Sequence, residues 1–125
     1  MRLLLDTHVF LWWRADLPDL PGAARAAIVD DANEVYVSAA VAWEIVIKRA
    51  LGKLDFEGRV ADAVRDEGFC PLPATLNHVD EVARLPDHHR DPFDRLLIAQ
   101  ARTESMTLVT ADPLIRHYSG VALLE

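Results

Sequence analysis

The chain has 125 residues, 51% hydrophobic and 26% charged, which excludes a disordered or fibrous protein and supports one buried core. Its formal net charge of −7 argues against a grip on nucleic acid by bulk positive charge, because phosphate binding ordinarily rests on lysine and arginine. The single cysteine, Cys70, excludes an internal disulfide and points to a reducing, cytoplasmic setting.

The N-terminus "MRLLLD" reaches an acid after three leucines, too soon for the apolar centre of a signal peptide. No uninterrupted apolar run approaches the ~18 residues that a membrane span needs. "RLLL" (2–5) predicts a short buried strand, and Asp6 or Thr7 can cap a helix that begins near His8. A further helix is expected from Pro21 to about Asp30. "EVYV" (34–37), β-branched and aromatic, predicts the second strand. Ser38 can cap the helix "AAVAWEIVIKRAL", which Gly52 stops.

"FEGRVADAVRDEG" (56–68) has apolar residues at helical spacing and ends on a glycine. "FCPL" (69–72) is a weaker strand signal. Thr75 can cap "LNHVDEVARL", which Pro86 halts. Asp91 fits an N-cap, with Pro92 at the first helical position of "PFDRLLIAQA". "TLVT" (107–110) predicts another strand, Asp112 can cap "PLIRHY" (113–118), and "VALL" (121–124) is a last, weaker strand. Short buried strands alternating with helices predict one α/β domain over residues 1–125. Its architecture would be a three-layer α/β/α sandwich around a parallel sheet of four to five short strands.

In such sheets ligands sit outside the carboxyl ends of the strands, and this rule singles out four acids. Asp6 and Asp112 each follow a strand directly, although capping a helix would explain either alone. Glu44 lies in a helix that is apolar nearly all the way round, where a carboxylate must be paired or coordinated. Its alternative is an i,i+4 pair with Lys48. Asp94 occupies the third position of its helix, where the dipole keeps a carboxylate ionised. Asp91 with Arg95, and Arg90 beside them, are expected to form an ion-pair shell around it.

Carboxylates converging on one cleft repel one another unless a cation or protons neutralise them. All-oxygen donors select the hard ions Mg²⁺ or Mn²⁺. The sequence has no Cys/His spacing for zinc, no phosphate-binding glycine loop, and no nucleophile-elbow context at Ser38, Ser105 or Ser119. His88 and His89 could be ligands, although paired loop histidines are more often solvated or contact phosphate.

"LLLDTH", "VSAAVAWEIVIK", "HRDPFDRLLIAQA" and "LVTADP" resemble, in order and over nearly the whole chain, the successive motifs of PIN-domain ribonucleases. Within that family the sequence is most similar to VapC-type toxins of bacterial toxin–antitoxin pairs. The resemblance implies an acidic site at Asp6, Glu44, Asp94 and Asp112, with Asp6 and Asp94 the principal metal ligands. Thr110 and Ser38 resemble the family's small hydroxyl residues near that site. His8 and the Trp12–Trp13 pair are a less general form of the first motif and carry no mechanism.

The implied activity is a Mg²⁺- or Mn²⁺-dependent endoribonuclease that cuts structured RNA, such as tRNA or rRNA, leaving 3′-hydroxyl and 5′-phosphate ends. The implied partners are a second copy of the chain and an antitoxin whose tail covers the groove, with DNA met only through the antitoxin. Arg14, Lys48, Arg90 and Arg95 are candidate contacts to RNA phosphates. Two rival readings are weaker. A phosphotransfer enzyme with Asp6 as nucleophile would want a second aspartate at position 8, which is histidine, or a lysine after a later strand, and none follows Lys53. A binding module with a degenerate site would be favoured had one of the four acids been replaced.

Overall fold

In a computed structural model, which describes residues 1–89 and 91–124, the chain forms five short strands and six α-helices. Strand β1 (Arg2–Leu5) leads into α1 (Thr7–Arg14) and α2 (Gly22–Val29). Strand β2 (Glu34–Ser38) is followed by α3 (Ala39–Ala50) and α4 (Val60–Asp66). Strand β3 (Cys70–Leu72) precedes α5 (Leu76–Val82) and α6 (Pro92–Glu104). Strand β4 (Thr107–Val109), a 3₁₀ turn (Ile115–His117) and β5 (Ala122–Leu124) complete the described chain.

The sheet order is β3-β2-β1-β4-β5, and every neighbouring pair is parallel. Leu3, Leu4 and Leu5 point alternately to opposite faces, yet all three are fully buried, so helices cover the sheet on both sides. The chain moves from β1 outward through β2 to β3 and then returns to the other side of β1 as β4. The junction of β1 and β4 is therefore the point where the strand order reverses, and a crevice opens there at the carboxyl ends. The backbone amide of Asp6 donates to the carbonyl of Val109, so the segments leaving β1 and β4 stay side by side past their last paired residues.

Three predicted helices are shorter than their apolar spacing suggests, and α5 stops at Val82 rather than running to Leu85. The segment 56–68 becomes helical only at Val60, because Gly58 takes a left-handed φ of +75° that a helix cannot contain. "PLIRHY" forms only the 3₁₀ turn over Ile115–His117. The strand and cap expectations at Ser38, Thr75 and Asp91 agree with the structure: each of these side chains accepts from a backbone amide in the first turn of its helix. No helix among the described residues is long and apolar enough to cross a membrane.

Candidate acidic site

Asp6 caps α1: its carboxylate accepts from the Val9 amide at 2.8 Å, and the residue is 4% exposed. Capping, however, occupies only part of the group. Burial raises its pKa, against the lowering effect of hydrogen bonds from Thr110 and Val9. Thr110 is itself buried, and its hydroxyl also accepts from the Asp112 amide at 3.0 Å. One small hydroxyl thus sits between the two strand-end acids, which its position at the end of β4 makes unavoidable. Asp112 in turn accepts from the Leu114 amide with Oδ1, leaving Oδ2 turned toward the cleft residues.

Asp94 enters from α6, whose N-cap is Asp91; the Asp91 carboxylate accepts from the amides of Phe93 and Asp94. Against the expectation that the helix dipole keeps it ionised, burial, followed by the negative charge of Asp91, pushes the Asp94 carboxyl up to about 7. His89 opposes the shift, while Asp6 and Glu44 add to it. Asp6, Asp94 and Asp112 line one cleft of about 280 Å³ together with His8, Trp12, Ala111 and Pro113. A larger apolar cavity of about 710 Å³ lies between α3, α4 and β3, lined by Val64, Phe69 and Leu72, and contains no acid. The candidate acids lie at the smaller one.

Glu44 is 4% exposed, and both its oxygens are engaged. The Thr7 hydroxyl donates to one, and the Lys48 ammonium lies 2.6 Å from the other. The i,i+4 pair with Lys48, the alternative to a metal-site role, is present; Glu44 does not line the cleft of Asp6, Asp94 and Asp112, although its charge adds to the Asp94 shift.

Three other expectations need correction. The guanidinium of Arg95 turns away from Asp91, to the carbonyls of Pro86, His89 and Val82 and the Tyr118 hydroxyl, because those oxygens would otherwise lack donors in the loop it underlies. Ser38 faces the α6 core, where its hydroxyl donates to buried Gln100 while capping α3. Arg14, at the far end of α1, stands 3.7 Å from Glu67 rather than by the acids. Arg90 lies outside the described residues.

His89, which the sequence offers as a possible ligand but more readily as a solvated loop histidine, lies at the acids. His89 Nε2 lies 2.8 Å from Oδ2 of Asp112 and 3.0 Å from Oδ2 of Asp94. The histidine pair and its place just before the N-cap of α6 do not say that the loop folds back over the cleft. His89, Asp94 and Asp112 form a group whose donor atoms could hold one ion. Carboxylate oxygens predominate, and burial together with neighbouring negative charge raises the pKa of one of them, so the donor set fits a hard divalent cation.

The profile of the PIN domain matches residues 3–121, and the chain belongs to the PIN-domain family. Ribonuclease VapC22 of Mycobacterium tuberculosis is 33% identical over 123 residues, spanning 93% of this chain and 91% of that protein. Among solved structures, VapBC2 from Rickettsia felis, bound to a DNA fragment from its promoter, matches with a TM-score of 0.69 at 14% identity over 99% of this chain and 98% of that one. DNA-bound VapBC from Salmonella typhimurium matches with a TM-score of 0.69 at 12% identity over 99% and 97% of the two chains. At such identities these structural likenesses speak for the fold.

Proposed function

We propose that the chain is a metal-dependent endoribonuclease and the toxin of a toxin–antitoxin pair, acting as a single PIN-like domain. The observation that carries this reading is the meeting of Asp6, Asp94 and Asp112, from three separate elements, in one cleft at the reversal of strand order. The relative named Ribonuclease VapC22 supports the RNA substrate, and the toxin–antitoxin complexes among the structural neighbours support the antitoxin.

Asp6 and Asp94 would hold a Mg²⁺ or Mn²⁺ ion directly, with Asp112 and Glu44 completing the cluster directly or through water. Such an ion supplies Lewis acidity that activates water for attack and offsets charge on the leaving oxygen. The chain's own residues supply placement. Thr110 orients Asp6 and fixes the turn that carries Asp112. Asp91 fixes the first turn of α6 and so the direction of Asp94. Lys48, with its ammonium beside Glu44, is the described cation best placed to meet an RNA phosphate near the acids. A bound ion also answers the objection from net charge, since each divalent cation cancels two carboxylates.

The test is incubation of purified protein with total RNA, with Mg²⁺ or Mn²⁺ and with chelator. Cleavage should occur only with metal and should vanish in Asp6→Asn and Asp94→Asn. Equal cutting by those variants would assign the activity to a contaminant and remove the proposal.

A further inference from the structure

We propose that His89 is a positioning residue that holds Asp94 and Asp112 together through a single ring N–H. The inference rests on the metal-dependent reading above and concerns how the cleft is kept ready for its cation. The backbone amide of Asp91 donates to His89 Nδ1 at 3.1 Å. An amide can only donate, so Nδ1 holds a lone pair and the ring proton belongs to Nε2. That proton points at Oδ2 of Asp112, 2.8 Å away, and Oδ2 of Asp94, 3.0 Å away. The two carboxylates come from different parts of the fold, one from α6 and one from the turn after β4, and their charges repel. His89 offsets that repulsion without contributing a metal-binding lone pair at Nε2.

The loop that carries the ring is itself held. Arg95 reaches back from α6 to the carbonyls of Pro86 and His89 with one nitrogen and to Val82 with the other. Arg95 therefore fixes the His89 backbone, the Asp91 amide fixes the tautomer, and the ring fixes the two acids. A carboxylate oxygen has more than one lone pair, so it can accept from the ring and still face a cation.

The experiment uses the full chain and Mn²⁺ alone as the probe. Loss of the ring in His89→Ala should weaken Mn²⁺ binding, read by calorimetry, on the order of 10-fold or more, as removal of hydrogen bonds to metal ligands does elsewhere. His89→Gln, whose amide N–H can reach the same oxygens, should recover most of that loss. In the wild-type chain, imidazole ¹⁵N shifts should show a protonated Nε2 and a bare Nδ1 both before and after Mg²⁺ is added, a reading that does not depend on how any variant folds. Loss of the Nε2 proton on Mg²⁺ binding, or directly bound nitrogen in the Mn²⁺ electron-spin signal, would make His89 a ligand and overturn the proposal. Unchanged or tighter binding by His89→Ala, or no recovery in His89→Gln, would overturn it as well. A wild-type chain that binds no Mn²⁺ would remove both this inference and the nuclease reading; the other adverse results would remove this inference alone.

Discussion

The Lys48 ammonium lies 2.6 Å from Oε2 of Glu44, one turn away on α3, while the Thr7 hydroxyl from α1 donates to the other oxygen of the same carboxylate. Both oxygens of Glu44 thereby have partners without a metal. The Lys48 pKa is raised, chiefly by its hydrogen bond to Glu44. Lys48→Met should destabilise the fold by about 1 kcal/mol in urea denaturation, a value kept low because the lysine is 40% exposed. Glu44→Gln should weaken Mn²⁺ binding less than Asp94→Asn does, because its oxygens already have partners. If calorimetry showed the reverse order, Glu44 would be a principal ligand.

Asp94 gives the metal-free protein a pH dependence of defined sign. Its carboxyl titrates at about 7 in the fold against 3.8 as the ordinary value, chiefly because of burial and then because of Asp91. The folded state therefore binds this proton more tightly than the unfolded state. The associated stability is complete below the unfolded pKa and disappears as pH rises through the folded one. Thermal melts of the metal-free protein should show wild type losing ground to Asp94→Asn between about pH 4 and 7. Mn²⁺ affinity should rise over the same interval, since the cation needs the carboxylate. A constant difference between the two proteins across that interval would contradict the raised pKa.

The positions of the acids were legible in the sequence because each is tied to a local signal. The triple leucine ends at Asp6, the "TLV" strand precedes Thr110, and Pro92 marks the start of the helix that carries Asp94. The parallel-sheet rule then brings Asp6 and Asp112 to one edge without any knowledge of contacts. What was not legible depends on chain segments meeting across long separations. The Thr7–Glu44 bond joins residues 37 apart, and the His89–Asp112 contact joins residues 23 apart. No periodicity records either. Arg95 was misread for a related reason: its sequence neighbour Asp91 is spent on the helix cap, and the carbonyls that Arg95 serves become visible only once the loop is folded.

Arg95 tests whether that loop is held by geometry or by charge alone. Its guanidinium reaches three carbonyls and the Tyr118 hydroxyl, at 3.0 to 3.4 Å. A lysine keeps the charge but lacks the planar fork and cannot meet all four oxygens. Arg95→Lys should therefore cost about 1.5–3 kcal/mol of stability, the range for hydrogen bonds to charged groups. It should also lower Mn²⁺ affinity in the same direction as His89→Ala. Retention of wild-type affinity would separate the loop from the metal site.

Gln100 offers the opposite case, a buried polar residue whose loss should harm the fold and spare the chemistry. It is fully buried in α6, accepts from the Ser38 hydroxyl, donates to the Pro73 carbonyl and lies 3.3 Å from His78 Nδ1. These bonds join the start of α3, the segment after β3 and the cap of α5, all outside the acidic cleft. Gln100→Leu keeps the volume but leaves the buried Ser38 hydroxyl without its acceptor, while the exposed Pro73 carbonyl can turn to water. Urea denaturation should show a loss of about 1–3 kcal/mol, the range expected when one buried group loses its hydrogen bond. Below its melting transition, the variant should still bind Mn²⁺ and cleave RNA at the wild-type level. Loss of metal binding in a fully folded Gln100→Leu protein would mean that α6 transmits strain from its buried middle to Asp94 at its first turn.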